Sequence, residues 1–250
     1  MFTSSPFAEI ATFVPPIAMQ AYVILMILAV AGGALFDVIH KSSGKFFALD
    51  WKRSQARATR QIGMFETVWL AIKTIGKEMI TSGEFCNPMR RISHLLMFYG
   101  FLLYVITTVI IVFAYPTEPS PGILPFLWTL GAIMVLIGGY WFFFFLRVNV
   151  AHEGHSPFSL MWADLFIVTL LGSVTLALLW AFTQAAGLTT LSTVLFVIYV
   201  FFSTLLFVSV PWSKFAHMFY KPVVAFQKRV QEANGSSSLP MPASDRKGGM

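Results

Sequence analysis

Residues 191–210 read LSTVLFVIYVFFSTLLFVSV, and residues 211–222, PWSKFAHMFYKP, close that run. The run carries no charge and shows no strict alternation of apolar and polar positions, so it does not read as a half-exposed strand. Its length suits an apolar core about 30 Å thick at a rise of about 1.5 Å per residue. Hydrocarbon offers no partner to backbone N–H and C=O groups, so a segment crossing it closes its hydrogen bonds within a helix. Similar runs occupy about residues 17–39, 92–115, 124–146 and 160–182. The expected fold is an all-α integral membrane protein with a bundle of five transmembrane helices. The last helix is expected to continue past Pro211 toward Tyr220, with the proline kinking or re-initiating it.

Composition agrees. The chain has 250 residues, of which 57% are hydrophobic, 16% aromatic and 11% charged, with a mean hydropathy of +0.74. That leaves too little polar surface to cover a soluble globule. A net charge of +6 would suggest a nucleic-acid partner in a soluble protein. Here the basic residues cluster between the apolar runs, where they act as topology signals and as a surface for anionic lipid or an acidic partner. No nucleic-acid partner is expected. The single cysteine, Cys86, excludes an intrachain disulfide and cannot alone supply a thiolate zinc site or an iron–sulfur cluster.

Residues 1–16 form an N-terminal segment with no basic region and no small-residue cleavage site ahead of the first run, so no removable signal peptide is expected. The first and second runs are separated by the longest polar section, residues 41–91, with ten lysines and arginines. This places the section in the cytoplasm by the positive-inside rule. Within it, at about residues 62–80, Phe65, Val68, Trp69, Ile72, Ile75 and Met79 recur at spacings of three and four. That spacing predicts an amphipathic helix lying on the membrane or against a partner. The turns at about 116–122 and 183–190 contain no lysine or arginine and read as outer turns. Five spans with the N-terminus outside and the C-terminus in the cytoplasm satisfy every loop. The membrane domain is expected over residues 17–226, with 227–250 a disordered cytoplasmic tail rich in Ser, Pro, Gly and charge.

Histidine at membrane depth is costly unless it is paired or used. His94 sits at the cytoplasmic start of the second span and His217 at the cytoplasmic end of the fifth, so this topology puts both at one depth. Two imidazoles at one level can hold a haem iron from opposite faces; either can instead hydrogen-bond a neighbouring helix. His40, His152 and His155 fall at or beyond run ends and read as polar surface; the His152-Glu153-Gly154-His155 spacing alone is a weak metal pattern. Arg90, Arg91 and Lys214, near the two histidines in sequence, either meet haem propionates or anchor the inside face. Asp37, Arg147 and Asp164 mark span ends and are expected to form pairs between helices.

Ser93-His94-Leu95-Leu96-Met97-Phe98-Tyr99-Gly100-Phe101, Ala163-Asp164-Leu165-Phe166 and Pro211-Trp212-Ser213-Lys214-Phe215-Ala216-His217-Met218 together resemble the cytochrome b superfamily of the respiratory nitrate reductase gamma subunit. The wording of the first and third segments is closer to the membrane haem b subunits of heterodisulfide-reductase-like, quinone-interacting (Qmo-type), Dsr-type and Tmc-type complexes. The resemblance implies five helices, quinol chemistry and electron exchange with cytoplasmic subunits. In the two-haem pattern of that superfamily, His94 and His217 match the ligand pair nearer the cytoplasmic partner, while Tyr104 and Tyr199 stand at the other two ligand positions. Two opposed tyrosines are a poor axial pair for a low-spin carrier. One bis-histidine haem b is therefore expected, with a relocated second haem on His40, His152 or His155 left open. A quinone or menaquinone is expected where the second haem would sit, with Tyr104 or Tyr199 donating to a carbonyl oxygen; the alternative is that both rings simply pack there.

The resemblance thus implies a haem b subunit of a respiratory oxidoreductase complex in the cytoplasmic membrane. It would pass electrons between the quinone pool and cytoplasmic iron–sulfur or flavoprotein subunits, which carry the substrate chemistry. A haem-free anchor or transporter subunit is the alternative, which the nearly uncharged span centres disfavour in its transporter form.

Overall fold

The computed structural model describes residues 6–40, 43–83, 85, 87–147, 158, 160–213 and 217–237. Regular structure among the described residues is entirely helical. In chain order it comprises α1 (Pro6–Ile10), α2 (Pro16–His40), α3 (Ser43–Ala56), α4 (Met64–Thr74, continued by a π-helical segment Ile75–Ile80) and α5 (Pro88–Ala114). These are followed by α6 (Ile123–Trp141, continued by a π-helical turn Phe142–Leu146), a 3₁₀ turn (Trp162–Asp164), α7 (Leu165–Ala185), α8 (Thr189–Val208) and α9 (His217–Ala233). Among the described residues, α2, α5, α6 with its π turn, α7 and α8 are long and apolar enough to cross a membrane. The protein is a multi-pass membrane protein whose spans contact lipid.

The chain divides into two compact units. Met1–Phe36 with Phe85–Ala216 forms the first, and Asp37–Glu84 with His217–Met250 the second. The first unit is the bundle. Neighbouring spans run antiparallel: Gln20 Nε2 near the start of α2 donates to Val112 O near the end of α5 (3.3 Å), and Ser93 Oγ at the start of α5 donates to Gly138 O near the end of α6 (2.8 Å). Ser173 and Ser203 share a buried hydrogen bond between α7 and α8 (2.8 Å). A three-residue link joins those two helices. Gly187 supplies its left-handed conformation (φ +74°), and Leu188 N closes on Thr183 O (2.9 Å) in a Schellman arrangement. Half of the α7 apolar window is buried against 6% for α2, so α7 is the central helix and α2 the peripheral one.

Helices α5 and α6 meet backbone to backbone. A Cβ on Gly131 would lie 2.8 Å from both Gly100 O and Tyr104 N, and one on Gly138 would lie 2.7 Å from Ser93 O. Small residues at a seven-residue spacing, Ser93 and Gly100 facing Gly131 and Gly138, allow this approach, which is how helices gain packing contact in lipid. Gly131→Ala is expected to destabilise the bundle by roughly 1–3 kcal/mol, because backbone atoms cannot swing aside as a side chain would. Gly32→Ala, whose Cβ would meet nothing within 4 Å, is the control. Equal thermal midpoints for the two variants in detergent would show that α5 and α6 part without cost.

Several boundaries differ from the sequence expectation, among them the fourth span, which runs Leu165–Ala185 after the 3₁₀ turn rather than over about residues 160–182. The second span begins at Pro88 rather than near residue 92, because Asn87 Oδ1 accepts from Met89 N (2.9 Å) and Arg90 N (3.4 Å) and Pro88 fits the first turn. The fifth span does not continue past Pro211. It stops at Val208, where Trp212 N and Ser213 N both turn back to Ser209 O (2.9 Å each). Pro211 has no N–H to extend the ladder. His217 therefore opens a new helix, α9, instead of ending a span.

In the second unit, α3 and α9 are joined by Asp50, whose Oδ2 accepts from Gln227 Nε2 (2.6 Å) and Gln231 Nε2 (2.8 Å). Trp51 stacks on Phe226 (6.3 Å), and Ser54 bonds Ser236 (2.7 Å). Helix α9 runs on to Ala233 and Asn234 is 1% exposed, so part of the stretch expected as a tail from residue 227 is folded. Residues 238–250 lie outside the described residues.

Candidate functional site

His94 lies in the first turns of α5, half-buried. Phe98, one turn on, stacks parallel to it (6.4 Å, 6°), and Phe85 tilts against it (5.1 Å, 45°). The same end of the bundle is fastened by polar contacts. Arg90 Nη2 donates to Leu146 O (3.0 Å), and Arg147 forms a buried ion pair with Asp164. The Arg147 guanidinium also sits 4.6 Å over the Phe143 ring. The expected pairing of Arg147 and Asp164 across span ends is present. Asp37, in the second unit, accepts a hydrogen bond from the Tyr220 hydroxyl.

His217 is the first residue of α9, in the second unit; its side chain lies outside the description, as do Lys214, His152, His155 and Cys86. His40 is exposed at the end of α2. Arg91 is half-buried beside Arg90. Among the described residues, no three His, Cys, Asp or Glu side chains gather as metal ligands. A haem asks less, since its porphyrin supplies four nitrogens and the protein one or two axial ligands. An imidazole in an aromatic setting at a span end fits one such ligand.

Tyr104 and Tyr199, far apart in sequence, are brought together. Tyr104 Oη donates to Tyr199 Oη at 2.9 Å, and the residues are 6% and 8% exposed. Tyr199 stacks on Trp180 (5.7 Å, 11°), and Tyr104 packs against Trp128 (5.2 Å). Phe7 of α1 closes over both tryptophans at 5.9 and 5.2 Å. Trp128 Nε1 donates to Thr108 Oγ1 (3.0 Å), which donates to Tyr104 O (2.7 Å). Hydroxyls bonded directly to each other leave no place for an iron between them, so this pair does not fit a second haem as opposed ligands. Sequence reasoning missed Trp128, Trp180 and Phe7. Beside the resemblance that singled out Tyr104 and Tyr199, the 104/108 and 199/203 spacings of polar groups in otherwise apolar runs hint at this layer.

Comparison with family models, with curated proteins and with solved structures gives no match. The site rests on its own geometry.

The tyrosine bond is expected to be worth about 0.5–2 kcal/mol. Removing one hydroxyl forfeits it and leaves the other buried, whereas Tyr104→Phe with Tyr199→Phe removes both groups together. The double variant should therefore be no less stable than the worse single variant. A double variant less stable than either single one would show that the two hydroxyls act separately.

Proposed function

We propose that this chain is the haem b-holding membrane subunit of a quinone-linked oxidoreductase complex in the cytoplasmic membrane. His94 and His217 serve as axial ligands to one haem. The N-terminus faces outward and the C-terminus the cytoplasm, as the basic content of residues 41–91 and the uncharged opposite turns favour. The observation that carries this reading is His94, an imidazole held between Phe85 and Phe98 where a spanning helix begins. When bound, the haem would supply one-electron transfer. The chain's own part is to orient the imidazoles, exclude water with phenylalanine and offer Arg90, Arg91 or Lys214 to the propionates. Arg90 already gives one guanidinium nitrogen to Leu146 O.

Electrons would pass between quinone or menaquinone and cytoplasmic iron–sulfur or flavoprotein subunits that carry the substrate chemistry, in sulfur metabolism or heterodisulfide reduction by the resemblance above. Tyr104 spends its hydroxyl hydrogen on Tyr199, so quinone contact through Tyr104 requires that bond to open, whereas Tyr199 accepts in it and keeps its own hydrogen to donate. Tyr104→Phe and Tyr199→Phe test that contact: unchanged quinol-dependent haem reduction in both variants removes them from the quinone site. The reading as a whole is tested by a pyridine haemochrome assay on the chain purified from native membranes, with one haem per chain expected. Protein without haem would leave the anchor or transporter alternative.

A further inference from the structure

Helix α4 is turned inside out for water. Its small polar Thr74 is 1% exposed, while Phe65 is 94%, Met64 83%, Trp69 63%, Ile72 56% and Val68 52% exposed, and Ile75 in the following π segment continues the same face. Helix α9 packs against α4 within the second unit, so the helix has a protein-covered side and the apolar side is the other one. A contiguous apolar face of this kind on a folded protein marks a contact with something apolar.

The nearest such material is the bilayer. Only residues 81–87 separate the π segment from Pro88, the first residue of a spanning helix. Fully extended, they reach at most about 25 Å. Exposed Lys73 and Lys77 border the face, and residues 41–91 hold ten lysines and arginines against four acidic residues. That excess complements anionic headgroups, and long basic side chains can reach them while their stems stay on apolar surface. Tryptophan at position 69 is the residue type favoured at the membrane–water boundary.

We propose that α4 is an interfacial helix that lies in the plane of an anionic lipid surface. Met64, Phe65, Val68, Trp69, Ile72 and Ile75 enter the boundary between headgroups and acyl chains, and Lys73 and Lys77 rest on the phosphates. This does not depend on haem or on quinone.

The test uses the full chain with Cys86→Ser and one nitroxide label at a time, on Phe65→Cys, Val68→Cys, Ile72→Cys or Glu66→Cys. Each is reconstituted in phosphatidylcholine vesicles with or without phosphatidylglycerol. Collisions with oxygen, which partitions into lipid, are compared with those of a water-soluble nickel chelate. Positions 65, 68 and 72 should show a several-fold higher oxygen-to-nickel ratio than position 66, and the difference should shrink without phosphatidylglycerol. Nickel access at 65, 68 and 72 equal to that at 66 would overturn the proposal. So would exclusion of both reagents, which would mean that a second copy of the protein covers the face. A ratio indifferent to phosphatidylglycerol would overturn the part given to Lys73 and Lys77.

Discussion

His94→Ala is expected to abolish the low-spin haem spectrum while leaving the chain folded in the membrane, and His217→Ala is expected to do the same. His94 makes ring contacts with Phe85 and Phe98, and removing it costs some packing at a half-buried position. The bundle's interior contacts, from Ser93 with Gly138 to Ser173 with Ser203, remain. On the proposed bis-histidine ligation, losing one axial imidazole leaves the iron five-coordinate or water-ligated and no longer low-spin, so the spectral effect is large while the stability effect is small. Alanine at His40, His152 or His155 should leave the spectrum intact. An unchanged spectrum in either His94→Ala or His217→Ala would remove that residue as a ligand, and two haems per chain would reopen the loop histidines.

The spans were legible because each combines length, apolarity and lack of charge, and lipid allows such a run little choice of conformation. The amphipathic segment was legible for a related reason: spacings of three and four from Phe65 to Ile75 give one apolar face whether or not anything covers it. The end of the fifth span was harder to read. A proline near a helix end can kink the helix or stop it, and the outcome depends on Ser209 O accepting from both Trp212 and Ser213, a local competition that hydropathy does not register. The tyrosine layer was half legible. The resemblance pointed to positions 104 and 199, but their mutual hydrogen bond is a long-range pairing between α5 and α8 that the pattern of either run does not register. The pairing of Arg147 with Asp164 was more accessible, since opposite charges at consecutive span ends on one side have few other partners.

Arg147→Ala or Asp164→Asn is expected to cost about 3–5 kcal/mol, the largest stability loss of any single substitution considered for this protein. Both side chains are nearly buried, at 8% and 9% exposure, so removing one strands its partner's charge or hydrogen-bonding capacity in a poorly solvated place. Asp164 Oδ2 also accepts from Met161 N (3.0 Å) and so shapes the 3₁₀ turn ahead of α7. Asparagine keeps an acceptor for that bond but leaves the guanidinium without its counter-charge. Arg147→Lys should recover only part of the loss, since an ammonium lacks the planar fork and stacks poorly on Phe143. For a chain of this size, the full loss corresponds to a fall of roughly 6–20 °C in the thermal midpoint. Replacing both residues by apolar ones of similar volume should cost much less than either single change, because no charge is then left buried. A double variant as unstable as the sum of the singles would mean that the two groups do not interact. The same variants reach function through position: the pair ties the end of the α6 segment to the start of α7, and Arg90 ties the start of α5 to Leu146, one residue before Arg147. On the proposed ligation, loosening that end should broaden or shift the haem spectrum through His94 before it unfolds the bundle, whereas Gly131→Ala, on α6 where it meets Gly100 and Tyr104 further along α5, should lower stability with a smaller spectral change.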